Sequence, residues 1–284
     1  MMRVADLTLP DRCLVMGILN VTEDSFSDGG RYLDLDAALA HAHQLIDAGA
    51  DIIDVGGEST RPGATRVEAN VERERVVPVI QALASEGIKT SVDTMRASVA
   101  AASAEAGVSL INDVSGGLAD PDMYRVMADI DLPVCLMHWK TVRFGDAAGQ
   151  AHATGDVVAD VRRVFDNLVD NAVSAGVAQD QIVLDPGLGF AKSAADNWAL
   201  LNALPEFIAG EYPILVGASR KRFLTAIRAD RGNHEATPLE ADPATAAVTA
   251  ISAQLGAWCV RVHNVAVSRD AVDVAKHWRG GGCG

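Results

Sequence analysis

Aromatic residues make up only 5% of this 284-residue chain. That scarcity argues against an aromatic-rich β-sandwich and for aliphatic strands covered by helices. Cysteine is scarce too. Four occur, at positions 13, 135, 259 and 283, with no Cys-x-x-Cys and no histidine at metal-ligand spacing, so neither a zinc centre nor a disulfide framework is expected. Positive charge is in deficit: 24 Lys and Arg stand against 38 Asp and Glu, a formal charge of −14. Such a field opposes general affinity for nucleic acid or an anionic membrane, and any anionic ligand must be met by local basic residues. No apolar run approaches the ~18 residues of a membrane helix. Met1 to Asp6 also lacks the charged-then-apolar order of a signal peptide, and with free thiols the expectation is a cytoplasmic protein.

What the chain does have is 49% hydrophobic residues, enough to exclude disorder and to bury a sizeable core. Short β-branched runs recur, each ending in a polar residue and followed by a loop and a helical pattern. They are Cys13 to Asn20, Asp51 to Gly57, Lys89 to Thr94, Ser109 to Asp113, Pro133 to His138, Gln181 to Asp185, Pro213 to Gly217 and Trp258 to His263. Helices are predicted between them, among them Leu35 to Ala48 stopped by Gly49 and Asp156 to Ala175 stopped by Gly176. Eight βα units exhaust the chain with no linker. The expected fold is therefore α/β, one (β/α)8 barrel domain over residues 1–284 with its core at about 13–278 and a Gly-rich tail. A doubly wound open sheet is the alternative, but it needs a Gly-x-Gly-x-x-Gly turn after the first strand, where Asn20 to Gly30 stands instead.

A barrel carries its site where the strands end. The residues there are Asn20, Asp54, Asp93, Asn112, His138, Asp185, Ser219, Arg261 and His263. Taken singly, several of them read equally well as helix caps or turn residues. Their coincidence at one rim points to a polar ligand held by several strands, because buried polar groups demand partners. Arg261 and His263 alternate around Val262, so both face one side of the last strand. A carboxylate-paired Arg beside a solvated His remains an alternative reading, as does plain core packing for Met137 and a rim anchor for Phe26.

Four segments identify a resemblance: Asn20-Val21-Thr22 with Asp24 to Gly30, Asp54 to Gly63, Asp185 to Phe190, and Gly217 to Phe223. Together with Ser91 to Thr94, Ile111 to Gly116 and Arg261 to His263, they resemble the dihydropteroate synthase family, and the likeness runs from about residue 13 to about 275. The resemblance implies a transferase that condenses 6-hydroxymethyl-7,8-dihydropterin diphosphate with p-aminobenzoate. It implies a pterin pocket of Asp54, Asp93, Asn112, Met137, Asp185 and Lys221, a diphosphate site of Asn20, Arg61, Arg261 and His263, and Mg²⁺ placed by Asn20. It implies p-aminobenzoate contacts from Phe26, Thr60, Arg61, Pro62, Phe190, Ser219 and Lys221, with Asp93, Asp185, Lys221 and Arg261 at the chemistry. A homodimer is implied as well, and sulfonamides are expected to compete at the p-aminobenzoate site.

The residues suit that chemistry. A carboxylate accepts bidentately from a guanidine-like pterin edge, and Asn offers both a donor and an acceptor. The helix opened by Ser219-Arg220-Lys221 is expected to present its N–H groups to the p-aminobenzoate carboxylate. Loss of pyrophosphate before attack by the aniline nitrogen needs no catalytic triad, and no motif sets His138 beside Ser219 as a hydrolase would require. Two other readings compete: a methyltetrahydrofolate-binding methyltransferase, which has no use for Thr60-Arg61-Pro62 or Ser219 to Phe223, and a non-catalytic pterin-binding paralogue. Asn264, where the family commonly has Asp, is expected to keep an acceptor. The acidic stretch from Asp230 to Asp242 is expected to be a freely varying loop.

Overall fold

A computed structural model of the chain describes residues 2–9, 11–22, 31–58, 66–139, 155–229 and 237–280. Its strands are β1 (Leu14–Asn20), β2 (Ile52–Gly56), β3 (Thr90–Asp93), β4 (Leu110–Asp113), β5 (Val134–Met137), β6 (Ile182–Asp185), β7 (Leu215–Val216) and β8 (Cys259–Val262). The helices are α1 (Val4–Leu7), α2 (Arg31–Asp47), α3 (Ala69–Ser85), α4 (Ala97–Glu105), α5 (Met123–Ile130), α6 (Val157–Ala175), α7 (Ala194–Asn202), α8 (Leu204–Ile208), α9 (Arg222–Ala229), α10 (Asp242–Leu255) and α11 (Val265–Arg279). All strands are parallel, in the order β6-β5-β4-β3-β2-β1-β8-β7. The two ends of that series meet where Leu184 bridges Ile214 and donates its N–H to the Pro213 carbonyl at 2.9 Å. The sheet thus closes into the expected (β/α)8 barrel.

Period two along the strands sorts the side chains. Val15, Ile53, Val55, Ile111, Leu136, Val260 and Val262 face outward and join the large core beneath the helices. The alternate residues Leu14, Met16, Ile52, Leu110, Cys135, Val183, Leu215 and Cys259 fill the barrel floor. Val4 and Leu7 of α1 and the Trp258 side chain seal that floor from below. Burying such a Val or Leu contributes about 2 kcal/mol each. The plug is tied to the last βα unit, because Trp258 Nε1 donates to Thr8 Oγ1 at 2.9 Å, and to the segments after α5 and before β6, where Arg3 pairs with Asp131 and Asp180.

Helix α6 shows how local sequence sets an element. The Asp156 side chain accepts the N–H groups of Val158 and Ala159, and Gly176 ends the helix at φ 109°. Val157, Val161, Phe165, Leu168 and Ala172 recur at helical spacing and form its buried face. Phe165 meets Phe207 of α8 edge to face, with ring centroids 5.7 Å apart. Replacing Asp156 with Ala removes both cap bonds and is expected to lower stability by about 1 kcal/mol in urea unfolding. An unchanged unfolding midpoint would show that the cap does not hold α6.

Candidate active site

The same alternation that fills the floor with apolar groups puts polar ones at the mouth. Asp54, Asp93, Asn112, Asp185 and Arg261 continue the inward-facing rows of β2, β3, β4, β6 and β8, and the four acidic and amide residues are buried. Arg261 organises them. Its Nε donates to Asp54 Oδ2 at 2.6 Å and its Nη2 to Asp93 Oδ2 at 2.7 Å, while Asn112 Nδ2 donates to Asp54 Oδ2 at 3.3 Å. Asp54 Oδ1 is buried without a hydrogen bond, an unmet acceptor. Burial pushes the Asp93 carboxyl up against the pull of Arg261; burial also works against the Arg261 guanidinium, but Asp54 and Asp93 outweigh it and hold the group above its ordinary range.

Asp185 ends β6 and accepts the Gly187 N–H at 2.7 Å. Burial raises its carboxyl; the Gly187 bond and the field of Lys221 pull the other way. The following turn needs glycine: Gly187 has φ +69° and a Cβ there would strike the His138 carbonyl, and Gly189 has φ +78° with Lys221 Cδ 2.5 Å from the Cβ position. Lys221 therefore lies against this loop, its Nζ 4.0 Å from the centre of the Phe190 ring. Burial pulls its ammonium down to about 8. Phe190 packs on a small apolar wall of Met95, Val114, Met137 and Trp139.

In the turn after β7, two residues before Lys221, Ser219 Oγ lies 3.0 Å from His263 Nδ1 and accepts the His263 N–H at 3.1 Å. Asn20 stands half-buried at the end of β1, its Oδ1 3.6 Å from the Cβ position of Gly56, to which Asp93 Cβ also comes within 3.7 Å. Asn20, Asp54, Asp93, Asn112, Met137, Asp185, Phe190, Ser219, Lys221, Arg261 and His263 thus all lie on strand ends or on the loops that follow them. Phe26, Thr60, Arg61 and Pro62 lie outside the described residues.

The structure corrects several expectations. α9 begins at Arg222, so Ser219 sits in the turn before the helix and does not open it. Asp242 is no free loop residue: it accepts Arg220 Nε at 2.7 Å, Arg220 Nη2 at 2.9 Å and Asn264 Nδ2 at 2.9 Å, and these contacts, Arg220 foremost, lower its carboxyl. Asn264 is accordingly used as a donor. The trio fixes the turn of Ser219 and Lys221, with Arg220 at φ +57°.

Two clusters had escaped the sequence reading. Buried Glu58 and Glu72 share Arg96, Thr94 Oγ1 donates to Glu72 at 2.6 Å, and Arg66 Nε reaches Glu58 at 3.1 Å. His138 is buried between Asp160, 3.3 Å from its Nε2, and Lys192, whose Nζ is 2.9 Å from its Nδ1. Burial first and the Lys192 charge second pull that imidazole down to about 4, so it is neutral. The lone Lys two residues after Phe190, closing a Gly-rich run, was the available signal for this cluster.

Residues 16–263 match the model of the pterin binding enzyme family. The chain is 50% identical over 264 residues to the dihydropteroate synthase of Mycobacterium leprae, covering 93% of each chain. It is similar to the Xanthomonas albilineans dihydropteroate synthase solved with 4-aminobenzoic acid, at 41% identity and a TM-score of 0.84 over 95% of this chain and 93% of that one. The same enzyme in complex with 7,8-dihydropteroate gives 38% identity and a TM-score of 0.81 over 95% and 94%.

Replacing Arg261 with Met leaves Asp54 and Asp93 buried without their cation, and a loss of about 3–5 kcal/mol is expected in urea unfolding at pH 8. A carboxyl raised on folding holds its proton more tightly folded than unfolded, so stability falls as pH rises from its ordinary range toward the raised value. The variant should therefore regain part of its stability at pH 5. Equal losses at both pH values would remove the Asp93 carboxylate from the account.

Proposed function

The chain belongs to the dihydropteroate synthase family of pterin-binding enzymes, and from that membership we propose how its own residues divide the work of joining a dihydropterin diphosphate to p-aminobenzoate. The observation that carries the reading is the ring of buried Asp54, Asp93, Asn112 and Asp185 on inward-facing positions around one mouth. Asp185, its Oδ1 oriented by the Gly187 N–H, accepts from the donor edge of the pterin, and Asn112 meets the remaining ring heteroatoms. Met137 supplies an apolar wall for the ring. The diphosphate lies over the β1 and β8 ends. Arg261 spends two of its N–H groups on Asp54 and Asp93 and has the rest for phosphate oxygens, with His263 beside it.

The donor set fits Mg²⁺. Asn20 offers a neutral oxygen at the open end of β1, and Mg²⁺ characteristically takes one or two protein oxygens and completes its shell with water and substrate phosphates. When bound it would neutralise charge on the departing pyrophosphate.

The electron-rich dihydropterin tolerates departure of pyrophosphate before attack, which makes the reaction dissociative. The p-aminobenzoate nitrogen then attacks without a strong base. Phe190 packs against its ring, and Ser219 with the backbone N–H groups of its turn receives the carboxylate. Phe26, Thr60, Arg61 and Pro62 keep the p-aminobenzoate roles that the resemblance gives them. A homodimer finds support in Ile251, Leu255, Val274 and Trp278, exposed apolar side chains on the neighbouring helices α10 and α11. The buried free thiols of Cys13, Cys135 and Cys259 suit a reducing cytoplasm, and no described helix is long and apolar enough to cross a membrane.

The deciding experiment follows pyrophosphate release and dihydropteroate mass with dihydropterin diphosphate, Mg²⁺ and p-aminobenzoate. Coupled formation of both products is expected, and Asp185→Asn should lower kcat/KM about 30-fold or more. Pterin binding without dihydropteroate would leave the non-catalytic paralogue. Because Lys221 is charged only below about 8, kcat/KM should fall as pH rises through that value. Lys221→Gln should lose this limb from its residual activity, and persistence of the limb would assign it to another group.

A further inference from the structure

Lys192 has no role in the chemistry above, yet its contacts are unusual for a lysine. Its Nζ lies 2.9 Å from the Gly187 carbonyl, 3.2 Å from the Phe190 carbonyl and 2.9 Å from His138 Nδ1. Burial pulls the Lys192 ammonium down to about 7; in its protonated form it carries three N–H donors, and here three acceptors meet them. None of the three is a carboxylate. Two are main-chain carbonyls of the loop that Lys192 itself closes, so the side chain folds back and clasps its own backbone.

The third acceptor requires one tautomer. Asp160 Oδ2, an acceptor, faces His138 Nε2 at 3.3 Å, which assigns the ring proton to Nε2 and leaves Nδ1 to accept from Lys192. Asp160 belongs to α6 and His138 follows β5, so one line of contacts joins α6, the end of β5 and the loop after β6. A second tether holds the far side of the loop, where the Gly189 N–H donates to Asn197 Oδ1 of α7 at 2.7 Å. The loop is also strained at its end, with Ala191 at φ 51°, a conformation that persists only when surrounding contacts hold it.

These tethers act unequally on the two ends of the loop. Asp185 is fixed by its place in β6, paired in register with Met137. Phe190 has no strand to hold it, and its ring is the surface beneath Lys221 Nζ. We propose that Lys192 is a positioning residue: by clasping the Gly187 and Phe190 carbonyls to His138, it sets the Phe190 ring as the platform against which Lys221 and the aromatic acid pack. The proposal rests on the reading above that p-aminobenzoate packs on Phe190.

The test is Lys192→Met, which keeps the stem and removes all three donors, with Lys192→Gln as a second variant that retains two and with Phe190→Ala beside them. Circular dichroism and thermal melting establish that each variant folds. The KM for p-aminobenzoate should rise about tenfold in Lys192→Met, as a misplaced binding surface requires. The KM for the dihydropterin diphosphate should rise by a smaller factor, since Asp185 stays on its strand and loosens only at its Gly187 contact. Hydrogen exchange of the amides at 187–191 should quicken in the same variant. If Phe190→Ala raises the p-aminobenzoate KM and Lys192→Met does not, the proposal is overturned. If Phe190→Ala leaves that KM unchanged, the p-aminobenzoate reading of Phe190 has failed. Exchange at 187–191 then decides alone: faster exchange upholds the clasp, unchanged exchange ends it.

Discussion

The pairing of Arg261 with Asp54 and Asp93 is the constraint around which the barrel mouth is arranged. Two carboxylates out of water are tolerable only beside a cation, and the cation is tolerable there only beside them. The knot also makes chemistry available. It holds a guanidinium with unspent N–H groups at the mouth and leaves one buried Asp54 oxygen without a hydrogen bond. The surrounding groups respond to the same low dielectric. Asp93 and Asp185 are pushed toward holding protons and Lys221 toward losing one. Such opposed shifts mark a site organised before its ligands arrive.

A division of labour follows from strand periodicity. Below the knot the inward rows are apolar and end in the plug of α1 and Trp258; above it the same rows are polar. Stability and recognition are therefore stacked along one axis. The loops on top carry the conformational cost. Of the three non-glycine residues with positive φ among those described, Ala191 and Arg220 flank Phe190 and Lys221. Arg220 is held by Asp242 from outside its turn, and the stretch ending at Ala191 by the adjoining Lys192 and by Asn197 of α7.

Much of this was legible in the chain. β-branched runs locate all eight strands to within a residue or two, because a buried parallel strand leaves a continuous apolar signature. The Asp156 and Gly176 limits of α6 were readable because capping is local. Polar residues closing each strand gave the rim, since the pleat dictates which way they face. Partner choice was not readable. Arg96 with Glu58 and Glu72, Lys192 with His138, and Ser219 with His263 each join segments whose separation depends on loop paths. Asp242 misled for the same reason: its flanks are polar and its neighbours in space, Arg220 and Asn264, come from two other segments.

The way the barrel closes has a consequence for the chain as it leaves the ribosome. β1 finds one of its two neighbours only in β8, and the Thr8 hydroxyl waits for an indole 250 residues downstream. Asp54 and Asp93 are likewise made 207 and 168 residues before the arginine that neutralises them. Until translation reaches that point, the emerging strands form an open half-barrel with an unsealed floor and two uncompensated carboxylates. A transcript cut short before β8 would yield a chain whose first strand keeps a bare edge, a substrate for chaperones and proteases and not a smaller version of the enzyme.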